Sequence, residues 1–323
     1  MDKHSVTIIS DQKLSNLGDL AIYLSLKDRI LDSGINKIYK ISNSNKVIDK
    51  VEFIDFKNII KLVKILSKSE TIYMGGGGIL QDESSLLNLF YYFSLSLLCF
   101  FLGKRISIIS VGVTKPKFTL SKFMLKFICW NSNRISVRDK RSFELLAEFT
   151  SKNIEIVNDL VFDFKFNKDK VTPSILSKAI KGGILVAPRP LLASENESTE
   201  FCKKLAKQLD LLSEYLNQPI HLVPFQESKD LATCLTLKSY MKTEATIFNC
   251  VSPHDVYYLS QLAELVIFMR LHAGIIGYIA EKKIIGIAYS SKVEHFLEEV
   301  GRHECNVAIN DIDSLSSIIT TMF

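Results

Sequence analysis

The chain has 323 residues, more than one core usually holds, so two domains are expected. With 47% hydrophobic and 23% charged residues it is ordinary for a globular protein and can bury large cores. Its formal net charge of +5 is too weak to argue for nucleic acid and fits anionic small molecules or an anionic membrane surface. The six cysteines, at 99, 129, 202, 234, 250 and 305, form no CxxC pair, which reads as reduced, mostly buried thiols in a cytoplasmic protein.

The start, "MDKHSVTIIS", lacks a signal-peptide core and reads as a strand running straight into the fold. From there the pattern is strand, loop, helix, repeated. "SVTIIS" (5–10) is a predicted strand and "GDLAIYLSLKDRILDSG" (18–34) a helix closed by glycine. "KIYKIS" (37–42) is a strand, and "FKNIIKLVKILSK" (56–68) is a helix with apolar residues three and four apart. The strand "TIYM" (71–74) then leads into four consecutive glycines, 75 to 78.

The stretch "LLNLFYYFSLSLLCFFLG" (86–103) is nearly all apolar. It is short for a membrane span, is interrupted by Asn88, Ser94 and Ser96, and is followed at once by the strand "RISIISVG", so it reads as a buried helix. "TLSKFMLKFICW" (119–130) is a helix, "RISV" (134–137) a strand, "DKRSFELLAEF" (139–149) a helix and "NIEIV" (153–157) a strand. Around 163–183 the pattern loosens and becomes lysine-rich, which marks a link.

The alternation then restarts with the strand "GILVAPR" (183–189), a helix over 199–216, the strand "PIHLVPF" (219–225) and a helix over 228–242. The strand "ATIFN" (245–249), the capped helix "SPHDVYYLSQLA" (252–263) and the strand "ELVIFM" (264–269) follow. The helix "AGIIGYIAEK" (273–282), the strand "KIIGIAYS" (283–290) and the helix "VEHFLEEVG" (293–301) complete the series. The expected fold is α/β, with two doubly wound parallel sheets over residues 1–165 and 166–323. Ligands in such sheets sit outside the carboxyl ends of the strands, which two halves can turn toward a common cleft.

The residues just after the strands are therefore the informative ones. The glycine run, including Gly76, Gly77 and Gly78, permits positive φ and close backbone approach to a ligand, or else makes a tight strand-to-helix turn. It is no P-loop and no dinucleotide fingerprint, because GK[ST] and GxGxxG are both absent. Asp82 either faces the ligand or caps a helix starting at 84.

"MRLHAG" (269–274) is the sharpest motif. Arg270 and the helix start suit a phosphate or carboxylate, and His272 beside that anion can pass a proton near neutral pH. Arg189 at the end of "ILVAPR" supplies a second oxyanion contact or a plain salt bridge. Asn16 and Asp19, in "LSNLGDLAI", face the expected cleft, with an N-cap as the other reading of Asp19. Lys292 is a further cation or a solvated lysine. The helix within 114–130 carries Lys115, Lys117, Lys122 and Lys126 around an apolar face. It suits peripheral contact with an anionic membrane, or else packs on the core with its lysines in water. No histidine–carboxylate cluster has metal-ligand spacing.

At these residues the chain resembles the polysaccharide pyruvyl transferase family. The likeness runs through "SNLGDLAI", "YMGGGGILQD", "GKRISIISVGV", "ISVRDKRSFELL", "NDLVFDF" and "LVAPRP" to the block "ELVIFMRLHAGIIGYIAEKKIIGIAYSSKVEHFLEEVG". Ser15 stands where the family has its first glycine, and the stretch around Arg189 is bounded by prolines. The resemblance implies two Rossmann-like domains facing a cleft, as in GT-B glycosyltransferases, with the acceptor side in 1–165 and the donor side in 166–323.

It further implies transfer of a pyruvyl group from phosphoenolpyruvate to two hydroxyls of a sugar. The product is a ketal on a bacterial surface polysaccharide or its lipid-linked precursor. No separate cofactor is implied. The resemblance implies that Arg270 and His272 hold phosphoenolpyruvate; the residues read above add Arg189 and Lys292 as further cations, His272 for acid–base work, and Asp19 or Asp82 to orient or deprotonate the acceptor hydroxyls. A nucleotide-sugar-dependent GT-B glycosyltransferase shares the fold, although no acidic ribose-binding signature appears in the second half. A non-catalytic binding module is the third reading. The expected location is cytoplasmic, at the inner face of the membrane if 114–130 makes contact.

Overall fold

The computed structural model describes residues 5–42, 48, 50–82, 85–191 and 194–322. They group into two compact units. The first holds residues up to Leu14 together with Ala21–Phe164; the second holds Ser15–Leu20 together with the residues from Lys165 onward.

The first unit contains β1 (Ser5–Ile9), the part of α1 (Leu17–Asp32) from Ala21 onward, β2 (Lys37–Ile41), β3 (Val51–Ile54), α2 (Ile59–Lys68) and β4 (Thr71–Leu80). It continues with α3 (Leu86–Phe101), β5 (Ile106–Val113), α4 (Thr119–Trp130), β6 (Ser132–Val137), α5 (Lys140–Ala147) and β7 (Ile154–Ile156). Its sheet runs β3-β2-β1-β4-β5-β6-β7 with every pairing parallel. The chain winds outward in one direction from β1 and in the other from β4, so these neighbours form the switch point where such sheets bind ligands.

The second unit contains α6 (Pro173–Lys178), β8 (Ile184–Ala187), α7 (Glu195–Leu216), β9 (Ile220–Leu222), α8 (Glu227–Tyr240), β10 (Ala245–Ile247) and α9 (Pro253–Leu262). β11 (Leu265–Phe268), α10 (Leu271–Ile279), β12 (Lys283–Ala288), α11 (Ser291–Glu299), β13 (Asn306–Ala308) and α12 (Leu315–Met322) follow. The order β10-β9-β8-β11-β12-β13, again wholly parallel, puts its switch point between β8 and β11. Each residue of β8 and β11 is buried, as expected of strands covered by helices on both faces. The alternation of strands and helices thus produced the α/β fold it predicted.

Three features depart from the sequence reading. The glycines do not follow β4 but lie inside it: the strand runs on to Leu80, with an irregular register against β5 between Gly77 and Leu80. Asp82 does not cap the next helix, whose cap is Ser85, accepting from Leu87 N. β3, β13 and α12 were not anticipated at all.

α3 buries one face, with Leu89, Tyr92, Leu95, Ser96 and Cys99 turned inward. Its 16 residues span about 24 Å, less than the roughly 30 Å of a bilayer core. No helix among the described residues is long and apolar enough to cross a membrane. All six cysteines are free thiols and buried; burial pushes those of Cys99 and Cys129 up to about 12, so they are inert packing groups.

Candidate functional site

The site assembles at the switch point of the second sheet. β11 ends in Phe268 and Met269, both buried, and hands the chain to Arg270, which stands at the N-cap position of α10 without capping it by its side chain. The guanidinium instead turns to Asp230 on α8. Nε donates to Oδ2 at 3.0 Å and Nη2 donates to Oδ1. Asp230 is wholly buried and also accepts from Gln226 N at 2.8 Å. This side-on bidentate grip fixes the plane of the guanidinium and uses two of its five donors.

His272 lies one residue into α10. Its imidazole rests on the backbone of Gly18, where an added Cβ would stand 2.0 Å from Nδ1 and 2.5 Å from Cγ. That approach explains why position 18 carries no side chain. Gly18 belongs to the segment Ser15–Leu20, which packs with this unit. The Asn16 Oδ1 accepts from Gly18 N at 2.8 Å, and Leu17 N donates to the carbonyl of Phe225, past the end of β9, at 3.0 Å. Asn16 therefore does the capping of α1 that was one reading of Asp19, and Asp19 stands in the first turn.

Arg189 follows β8, and Tyr289 follows β12, on opposite sides of β11. They meet across its end: the Arg189 Cζ lies 3.9 Å from the centre of the Tyr289 ring. Stacking of this kind holds a guanidinium flat and leaves its edge donors for a ligand. Lys292 sits partly buried in the first turn of α11. Two arginines, a histidine and a lysine thus follow the carboxyl ends of the adjacent strands β8, β11 and β12, all but Arg189 at the N-termini of α10 and α11 or just before them. That arrangement can bind an anion with two charged ends and offer it a proton donor.

The first unit's predicted residues are committed to its own architecture. Gly75 lies against the β5 backbone, where a Cβ would stand 2.2 Å from the Ile109 carbonyl oxygen; at Gly76, with φ of 79°, it would stand 2.1 Å from Ile22 Cγ2. What approaches these two glycines is protein. Asp82 is buried and accepts from Lys117 N at 2.9 Å and Phe118 N at 3.4 Å, holding the entry to α4. Burial opposes its charge, yet the neighbouring Ser121 side chain and hydrogen bonds from those two amides keep its carboxyl below the usual carboxylate range. Arg138 is buried against Asp159, Nη1 to Oδ2 at 2.9 Å. Among the described residues, no group of three His, Cys, Asp or Glu is placed to hold a metal ion.

Asp230 escaped the sequence reading. An aspartate in the first turn of a helix reads as an ordinary solvated or dipole-pairing charge, and only the sheet order brings α8 beside the end of β11.

A family model described as polysaccharide pyruvyl transferase matches residues 16–291. A search of curated proteins finds no match. Among solved structures, the chain is similar to the UDP-GlcNAc 2-epimerase of Methanocaldococcus jannaschii, with 14% identity over 98% of this chain and 91% of that one and a TM-score of 0.66. A co-structure of S. aureus MnaA with UDP aligns with 9% identity over 98% and 88% of the two chains and a TM-score of 0.61. The Neisseria meningitidis UDP-GlcNAc 2-epimerase bound to UDP-GlcNAc aligns with 11% identity over 99% of both and a TM-score of 0.53. At these identities the likeness concerns fold: two Rossmann-like units of the GT-B kind.

Proposed function

Because the chain belongs to the polysaccharide pyruvyl transferase family, we propose that it transfers a pyruvyl group from phosphoenolpyruvate to two hydroxyls of one sugar unit. The product is a ketal on a bacterial surface polysaccharide or its lipid-linked precursor. One observation carries the reading: Arg270, oriented by the wholly buried Asp230, stands at the switch point between Arg189 and Lys292 with His272 beside it. Phosphoenolpyruvate has two anionic ends, a phosphate and a carboxylate, and a site for it needs more than one cation.

In this reading Arg270 and Arg189 take the two anionic ends, with Lys292 as a further cation. The methylene carbon of the enol accepts a proton, and positive charge develops at C2. The first sugar hydroxyl forms a C–O bond there, and the bond from C2 to the phosphate oxygen breaks. The second hydroxyl closes the ketal. Two protons leave the hydroxyls, one ends on the new methyl group, and one departs with inorganic phosphate. His272 does the acid–base work and hydrogen-bonds the leaving phosphate. Asn16 and Asp19, in the segment that packs against His272, receive the acceptor hydroxyls. Asp82 holds the entry to α4.

Calorimetry with phosphoenolpyruvate on the wild type, Arg270→Gln and His272→Gln tests this. The wild type should bind, Arg270→Gln should lose about two orders of magnitude in affinity, and His272→Gln should bind but lose turnover. His272→Gln should melt as the wild type does, whereas Arg270→Gln, which strands the Asp230 carboxylate, should melt lower; a native circular dichroism spectrum at the assay temperature separates loss of the site from loss of the fold. Binding of a UDP- or GDP-sugar, with none of phosphoenolpyruvate, would overturn the reading in favour of a glycosyltransferase.

A further inference from the structure

The outward faces of α3 and α4 are apolar. On α3, Leu87, Phe90 and Phe101 are half to three-quarters exposed, and on α4 so are Leu120, Phe123 and Trp130. A helix at a protein surface normally turns its polar stripe outward. The sequence of α3 contains no charged residue, and positions 87, 90, 97 and 101 fall on one side at helical spacing. The two helices are joined by rings: Phe93 meets Phe127 at 5.3 Å, and Phe100 meets Trp130 at 5.2 Å. The result is one continuous apolar surface across two helices rather than scattered exposed residues.

Its charge says what covers it. From position 84 to 138 the sequence has eight lysines and arginines and no aspartate or glutamate. The whole chain has a net charge of only +5, so the remainder is net acidic. Lys115, Lys117, Lys122 and Lys126 are all exposed, and Lys122 and Lys126 border the aromatic residues on α4. A symmetric contact with a second copy of this face would set lysines against lysines with no carboxylate from either helix to pair them. An anionic lipid surface satisfies both features: rings enter the boundary between headgroups and acyl chains while lysines reach the phosphates.

We propose that the α3–α4 face seats the protein on an anionic bilayer. This does not rest on the transferase reading and can be tested without substrate. The chain has a single tryptophan, and it is Trp130 on this face, so its fluorescence reports the contact directly. Full-length protein is mixed with vesicles of phosphatidylcholine alone and of an equal mixture with phosphatidylglycerol. With the mixture, Trp130 emission should shift to the blue and be quenched by brominated acyl chains; with phosphatidylcholine alone it should stay as in buffer.

Lys122→Gln with Lys126→Gln should lower partitioning roughly thirtyfold, at about 1 kcal/mol per lysine. Phe101→Ser with Phe123→Ser should abolish it, and all four positions are exposed, so melting should not change. Trp130 emission indifferent to anionic vesicles would overturn the proposal, as would binding undiminished in both variants. So would a concentration-dependent dimer that buries Trp130 and excludes vesicles, which would assign the face to a second copy.

Discussion

Arg270 and Asp230 have to be considered together. The carboxylate is wholly buried, while the arginine side chain is 13% exposed, so the two ends of the pair are not equally costly to strand. Removing the guanidinium leaves a desolvated charge whose remaining donor, among the described residues, is the Gln226 amide. Removing the carboxylate leaves a guanidinium at the edge of the site, where water and ligand reach it. We therefore expect Arg270→Ala to lose about 3–5 kcal/mol of stability. Asp230→Leu should lose less, and the double variant should be more stable than Arg270→Ala. Urea unfolding of the four proteins measures this; strictly additive losses would mean that the pair contributes no coupling energy. The same geometry makes Asp230 a positioning residue. Asp230→Asn keeps the volume but sets an amide N–H against one arm of the guanidinium. Phosphoenolpyruvate affinity should then fall about tenfold while Arg270 keeps its charge.

At the scale of elements, β4 shows where local reading ends. "TIYM" followed by four glycines looks like a strand and then a loop, because glycine weakens strands and permits turns. Yet Gly75 is needed by the Ile109 carbonyl of β5, and Gly76 by Ile22 of α1, and neither partner is local in sequence. Gly76→Ala should cost about 3 kcal/mol, part from a side chain at φ 79° and part from the clash with Ile22. Pairing it with Ile22→Ala should restore part of this in thermal melts; no restoration would place the whole cost in the backbone. The elements that were legible carry their own signals. α4 begins and ends where its apolar spacing says, and α9 opens on the capping box of Ser252 and Asp255. The strand-end rule also put Arg189, Arg270, His272 and Lys292 just past strands, and the structure has them after β8, β11 and β12. Asp230 and the Tyr289 stack on Arg189 were illegible for the same reason as the glycine contacts: sheet order brings them to the site, and sheet order is not written in any short stretch.

For the molecule as a whole, two separate cores matter most. One cluster centres on Ile9, Met74, Ile108 and Ile135 in the first unit; the other centres on Val186, Leu222, Ile267 and Ile287 in the second. Every cation assigned to phosphoenolpyruvate belongs to the second, and so does the segment Ser15–Leu20, although it is separated from that unit by most of the first. A ligand stabilises the state it binds, by about 2.7 kcal/mol at a hundred times its dissociation constant. Amide hydrogen exchange with saturating phosphoenolpyruvate should therefore slow at the ends of β8, β11 and β12, in the first turns of α8 and α10, and in Ser15–Leu20. The amides of β1, β5 and β6 should exchange as before. Slowing confined to the first sheet would move the donor away from Arg270. Slowing at the second sheet but not at Ser15–Leu20 would keep the donor there and remove Asn16 and Asp19 from its surroundings. The segment is thus the discriminating readout: its backbone touches His272 through Gly18 and the end of β9 through Leu17, so a ligand that orders His272 has to be felt there.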